Sequence, residues 1–182
     1  MGCDKLMMPW GDELLIDVTL QAWANANIDA VAVIVHPDNA ALISHLSNND
    51  VHVVVPDKPP AEMKDSVRLG LEFIEATFQP DGDDRWLLAP ADIPGIAPRV
   101  IQQTLQAAAE NQDVIIVPSH AGKTGHPAAF PWSIAHRVAQ LGKDEGVNSL
   151  MKLHPALLLE CGEAALAGDV DTPDDYAHLH NR

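Results

Sequence analysis

Apolar positions recur along this chain with two different periods, and segments of the two kinds alternate. Between residues 12 and 27, Leu14, Leu15, Val18, Ala22 and Trp23 form a stripe at helical spacing, with Asp12 placed to cap the start. "AVAVIV" at 30–35 is instead a short continuous apolar run, the pattern of a strand covered on both faces. A short helix over 38–46 follows Pro37, and "VHVVV" at 51–55 reads as a second strand. Past the loop "DKPPAEMK", the spacing of Met63, Val67, Gly70, Leu71 and Ile74 predicts a helix from Met63 to Phe78. "QPDGDD" is a turn into a third strand, "RWLLAP" at 85–90. A helix over 97–110 and a fourth strand, "DVIIVP" at 113–118, come next.

The pattern then loosens. "SHAGKTGHP" is a Gly-rich loop, "AAF" a short strand, 131–141 a helix, and "GVNSLMKL" a further helical turn or two. "ALLLEC" at 156–161 is a last strand, and "TPDDYAHL" opens a terminal helix with Pro173 at its first position after Thr172. No internal repeat or linker interrupts the series. Strands separated by helices imply one three-layer α/β domain over 1–182 with a mostly parallel central sheet. Ligands of such sheets bind at the carboxyl ends of the strands. The loops beginning at Pro37, Pro56, Pro90 and Pro118 therefore matter most for function.

Charge narrows the chemistry. Eleven Lys and Arg against 26 Asp and Glu leave a formal charge of −15, which disfavours nucleic acid and anionic membranes as partners. If the chain handles phosphates, a few placed cations or a metal must do the work. No apolar run approaches the ~20 residues that span a bilayer, and the start has no signal-peptide pattern. A soluble cytoplasmic protein is the expectation. Cys3 and Cys161 are too few for a disulfide framework and too isolated for a zinc site.

In "LLAPADIPGI", Asp92 lies just beyond an apolar strand, where it could hold a divalent ion or cap the turn or the following helix. "GDVDTPDDY" sets Asp169, Asp171, Asp174 and Asp175 close together. Acidic residues suit a helix N-terminus, which accounts for Asp174 and Asp175 with Thr172 as cap, and less well for Asp171. Asp92 and Asp171 could instead share one Mg²⁺, which prefers oxygen ligands. His126, between Gly125 and Pro127, either contacts a ligand or sits in a plain loop. Ser66, near a helix start with Gly70 after it, could meet a ligand or act as an N-cap. P-loop, dinucleotide and nucleophile-elbow motifs are absent.

Taken in order, "MGCDKLMMPWGDELL", "MKDSVRLGL", "LLAPADIPGI", "GKTGHPAAF" and "DVDTPDDY" resemble the motif series of the MobA-like nucleotidyltransferases. The closest resemblance is to the molybdenum cofactor cytidylyltransferase (MocA-like) branch. It implies a Rossmann-like fold that moves a nucleoside monophosphate from an NTP, CTP or else GTP, to a phosphorylated acceptor such as molybdopterin. On it, Lys5 would be catalytic and neutralise triphosphate charge, with Gly2, Ser66, Pro90 and Asp92 at the nucleotide. Asp92 and Asp171 would hold Mg²⁺, and Gly125, His126 and Pro127 would lie near the acceptor. Several features depart from the family pattern. The first strand and most of the A-A-G-x-S-x-R loop are not in the sequence, Ala91 stands where a Gly is usual, and Lys64 where another is. A non-catalytic binding protein of the same fold and a Mg²⁺-dependent phosphohydrolase using Asp92 are the competing readings. An open sheet edge would also favour a homodimer.

Overall fold

The computed structural model describes residues 4–166, 168, 170 and 172–180. Asp4 caps a 3₁₀ turn over Lys5–Met7, and its carboxylate accepts a hydrogen bond from the Leu6 amide at 3.1 Å. Strands β1 (Pro9–Trp10) and β2 (Glu13–Leu14) then form a small antiparallel hairpin. Helix α1 (Leu15–Ala24) starts only after it, with Leu14 at the cap position. The helix predicted from residue 12 therefore begins later, and Asp12 lies in the hairpin turn rather than at a helix start. The helical stripe of the sequence survives in shifted form, with Leu15, Ile16, Thr19 and Ala22 buried.

β3 (Ala32–Ile34) and β4 (His52–Val54) pair in parallel, with α2 (Ala40–Leu46) as the crossover between them. α3 (Met63–Phe78) begins at Glu62, which forms a reciprocal capping box with Asp65. Ser66 is thus not the N-cap. α3 reaches across two sheets: a Cβ on Gly70 would meet Ile34 Cδ1 of β3 at 2.8 Å, while Val67 packs in one cluster with Trp86 of the second sheet.

The second sheet contains β5 (Arg85–Leu88), β6 (Ile115–His120), β7 (Lys123–Thr124), β8 (Ala128–Pro131) and β9 (Ala156–Glu160). β8 lies between β5 and β6 and is antiparallel to both, whereas β9 is parallel to β6. The sheet is therefore mixed, where alternating strands and helices predicted a mostly parallel one. The reason is local: β8 follows β6 through the tight β6–β7 hairpin, with no crossover helix to reverse its direction.

α4 (Pro98–Glu110), with Pro at its first turn, packs against β6 and β8 through the small residues Ala107, Ala108 and Ala129 around Ile116. On the other side Trp86 and Phe130 stack with centroids 4.2 Å apart. Residues 132–140 and 147–149 are 3₁₀ helical, followed by the single α turn α5 (Leu150–Leu153). Their buried Ile134, Val138, Val147 and Leu150 complete that side of the core. Another 3₁₀ turn (Glu163–Leu166) and helix α6 (Pro173–His180) complete the described elements. Among the described residues no helix is long and apolar enough to cross a membrane.

Candidate functional site

β5 ends at Leu88, and the turn beyond it is pinned at two points on either side of Asp92. Ala91 packs against the cluster of Ile16, Val33, Val35, Leu42 and Leu46. Ile93 is buried in another cluster, with Ala22, Ala26, Ile96 and Ile101. Between these anchors the Asp92 side chain is only 16% exposed. Its Oδ2 is ion-paired with the Lys5 ammonium. Its Oδ1 is buried and has no hydrogen-bond partner. A buried polar atom left so costs about 1–3 kcal/mol, and a bare carboxylate oxygen is a suitable donor for a hard cation. The Asp92 carbonyl accepts a hydrogen bond from the Val170 amide at 3.1 Å, which brings the segment before α6 alongside.

Lys5 owes its position to a relay that neither residue spacing nor periodicity exposes. The Asp4 carboxylate that caps its turn also accepts a 2.6 Å hydrogen bond from the Asn39 side-chain amide. Asn39 is in turn the N-cap of α2, accepting from the Leu42 amide at 3.2 Å. An Asn before an apolar helix is a readable capping signal, but its bond to Asp4 spans 35 residues and is not. Asn39→Ala is expected to cost about 1 kcal/mol through the lost cap, read as a lower melting temperature, and to loosen the Lys5 turn, read as faster amide hydrogen exchange over residues 5–7.

A cavity of about 330 Å³ lies beside this turn, lined by Pro90, Ile93, Lys123, Thr124, Gly125, His126 and Leu166. Pro90 and Ile93 stand on either side of Asp92 in sequence, so the cavity opens beside the turn that carries the carboxylate, although neither Asp92 nor Lys5 is among its lining residues. Gly125 is there because of close approach: a Cβ would lie 1.7 Å from the Ala165 carbonyl oxygen. Pro127 is buried behind His126, and their peptide bond is cis.

The structure thus joins Lys5 to Asp92 in one ion pair and lines the neighbouring cavity with Pro90, Gly125 and His126, with Pro127 adjoining. Ser66 sits half-buried on the first turn of α3 and does not line the cavity. Gly2 and Asp171 lie outside the described residues. Among the described residues no group of three or more His, Cys, Asp or Glu is arranged to hold a metal. A larger cavity of about 500 Å³ between α1 and α2 shares no residue with this site. Its His45 Nε2 is already bonded to Asp17 Oδ1 at 2.7 Å.

The family model for the MobA-like NTP transferase domain matches residues 1–158. A curated protein, the bifunctional enzyme IspD/IspF of Ruegeria sp. (strain TM1040), is 33% identical over 106 residues, 58% of this chain. The match spans only 26% of that protein's length. Among solved structures, Rv0371c from Mycobacterium tuberculosis H37Rv superposes with a TM-score of 0.85 at 26% identity, covering 100% of this chain and 92% of that one. The manganese complex of Rv0371c from Mycobacterium tuberculosis H37Rv gives a TM-score of 0.78 at 24% identity, with 100% and 94% covered.

Proposed function

Because the chain belongs to the family of MobA-like NTP transferase domains, we propose that it moves a nucleoside monophosphate from an NTP to a phosphorylated acceptor, releasing pyrophosphate. The observation that carries this reading is the Lys5–Asp92 pair beside the cavity, a cation joined to a carboxylate whose second oxygen is buried and unpartnered. Phosphoryl-type transfer depends chiefly on positioning and charge neutralisation, and needs no covalent nucleophile from the protein. An oxygen of the acceptor phosphate forms a bond to the α-phosphorus. The bond from that phosphorus to the oxygen bridging to the β-phosphate breaks, and the electron pair leaves with pyrophosphate.

Lys5, held by the Asp4–Asn39 relay, offsets negative charge on the triphosphate. Asp92, joined by Asp171, holds Mg²⁺. The free Asp92 oxygen fits that ion, and a manganese-bound relative of the same fold supports a divalent cation. Once bound, it withdraws charge from the phosphates and the leaving group. Gly2, Ser66 and Pro90 complete the nucleotide side, while Gly125, His126 and Pro127 shape the acceptor side. CTP is the favoured donor with GTP second, molybdopterin is the acceptor that the branch resemblance favours, and the cytoplasm is the setting.

The test is pyrophosphate release from CTP or GTP with Mg²⁺ and a panel of phosphorylated acceptors, molybdopterin included. Turnover that requires both NTP and acceptor is the expected result. Absence of any NTP binding by calorimetry would overturn the proposal. Binding without transfer to any acceptor would favour a non-catalytic binding protein.

A further inference from the structure

β9 has a single neighbour among the described strands, β6. The Ile115 amide donates to the Pro155 carbonyl and the Cys161 amide to the Ser119 carbonyl, each at 2.9 Å. In a parallel ladder alternate residues bond to the same side. Residues 155, 157, 159 and 161 therefore face β6, and the backbone groups of Ala156, Leu158 and Glu160 point to the open edge.

That edge is unusually apolar. Leu157 is 40% exposed, Leu158 53%, and Leu153 just ahead of the strand 67%. Soluble proteins commonly guard such an edge with a charge, a bulge or a covering segment. Here the strand interior carries no charge at all, and no Asp or Glu occurs from Gly146 to Leu159 in a chain whose net charge is −15. Two copies of so acidic a protein repel over most of their surfaces. This stretch is where that repulsion is locally absent.

The ends of the strand favour one orientation. Lys152, in α5, stands before β9, and Glu160 closes it. Glu160 is held at the strand end by a 2.6 Å bond with His120 Nδ1, while its side chain stays 63% exposed. Antiparallel pairing about a two-fold axis sets Lys152 of each copy near Glu160 of the other. A parallel arrangement would oppose like charges. We propose that β9 is a self-association edge, through which two copies of this chain pair antiparallel and join their sheets. The interface is isologous and closes as a dimer, leaving no β9 edge for further growth. It rests on β9 alone and does not depend on the proposed transfer reaction.

Analytical ultracentrifugation of the full chain tests it, with a concentration-dependent monomer–dimer equilibrium as the expected result. Leu158→Lys puts a charge on the edge close to the two-fold axis and should weaken the dimer by about tenfold or more, with an unchanged circular dichroism spectrum. Lys152→Glu, a substitution on an exposed side chain, should also weaken it. Combining it with Glu160→Lys should restore association, because the reversed charges again meet their opposites. A chain that stays monomeric at every concentration overturns the proposal. So does a dimer indifferent to Leu158→Lys, or one weakened by Lys152→Glu that the paired reversal does not rescue. Should Leu158→Lys fail to fold, the two charge-reversal variants decide.

Discussion

Asp92→Asn is expected to lower nucleotidyl transfer by about 10²–10³-fold, the loss seen when one preorganised electrostatic contact to a developing charge is removed. Asparagine keeps the shape of the side chain and removes its charge. Its amide oxygen can still accept from the Lys5 ammonium, so the turn stays tied to the N-terminal segment. The second position, now occupied by Oδ1 in a buried setting with no hydrogen-bond partner, becomes an NH₂ that cannot ligate a cation. Mn²⁺ affinity, read by calorimetry without any acceptor, should fall at least as clearly as the rate. Stability should move little, because the variant exchanges the Lys5 ion pair for a neutral hydrogen bond while lifting the desolvation cost of the buried, unpartnered Oδ1. Unchanged transfer and unchanged Mn²⁺ binding in this variant would remove Asp92 from the mechanism. A large drop in melting temperature would recast it as a structural residue.

How much of this site the sequence discloses depends on how far apart the cooperating residues lie. The helix Met63–Phe78 is read with its observed bounds because Gly70 and its apolar neighbours keep helical spacing after the proline-rich loop. The place of Asp92 in the turn after β5 is legible because an apolar run precedes it, although β5 ends at Leu88 rather than at the predicted residue 90. The hairpin over Pro9–Leu14 is not legible, since strands of two residues carry no periodic signal and Leu14 and Leu15 fit a helix equally well. The direction of β8 is hidden for a related reason: an apolar run such as "AAF" fixes burial but not polarity, which the Ala121–Gly122 turn between β6 and β7 decides. Residues 132–140 have the apolar spacing of a helix, yet wind as 3₁₀. The ion pair of Lys5 with Asp92, 87 residues away in sequence, and the Asp4–Asn39 bond arise only once the chain has folded.

Gly125→Ala is expected to be the most damaging single methyl addition in this part of the fold. The added Cβ would lie 1.7 Å from the Ala165 carbonyl oxygen and 2.6 Å from its carbon. Both are backbone atoms, so no rotamer change can make room. Ala165 is itself fully buried, and the turn Glu163–Leu166 must therefore move as a unit. Overpacking of this kind costs about 1–3 kcal/mol or more, which for a chain of this size lowers the melting temperature by about 2–4 °C per kcal/mol. The functional loss should exceed the stability loss, because displacing Ala165 also shifts Leu166 in the wall of the cavity. Gly122→Ala is the control. Its φ of +79° makes alanine unfavourable, but a Cβ there meets nothing within 4 Å. It should therefore cost only the conformational term, about 1–2 kcal/mol, and leave transfer nearly intact. If the two variants behave alike in both melting temperature and acceptor KM, the contact with Ala165 is not what shapes the pocket. If only Gly125→Ala raises the acceptor KM, the glycine before His126 holds the acceptor wall at its distance from Asp92.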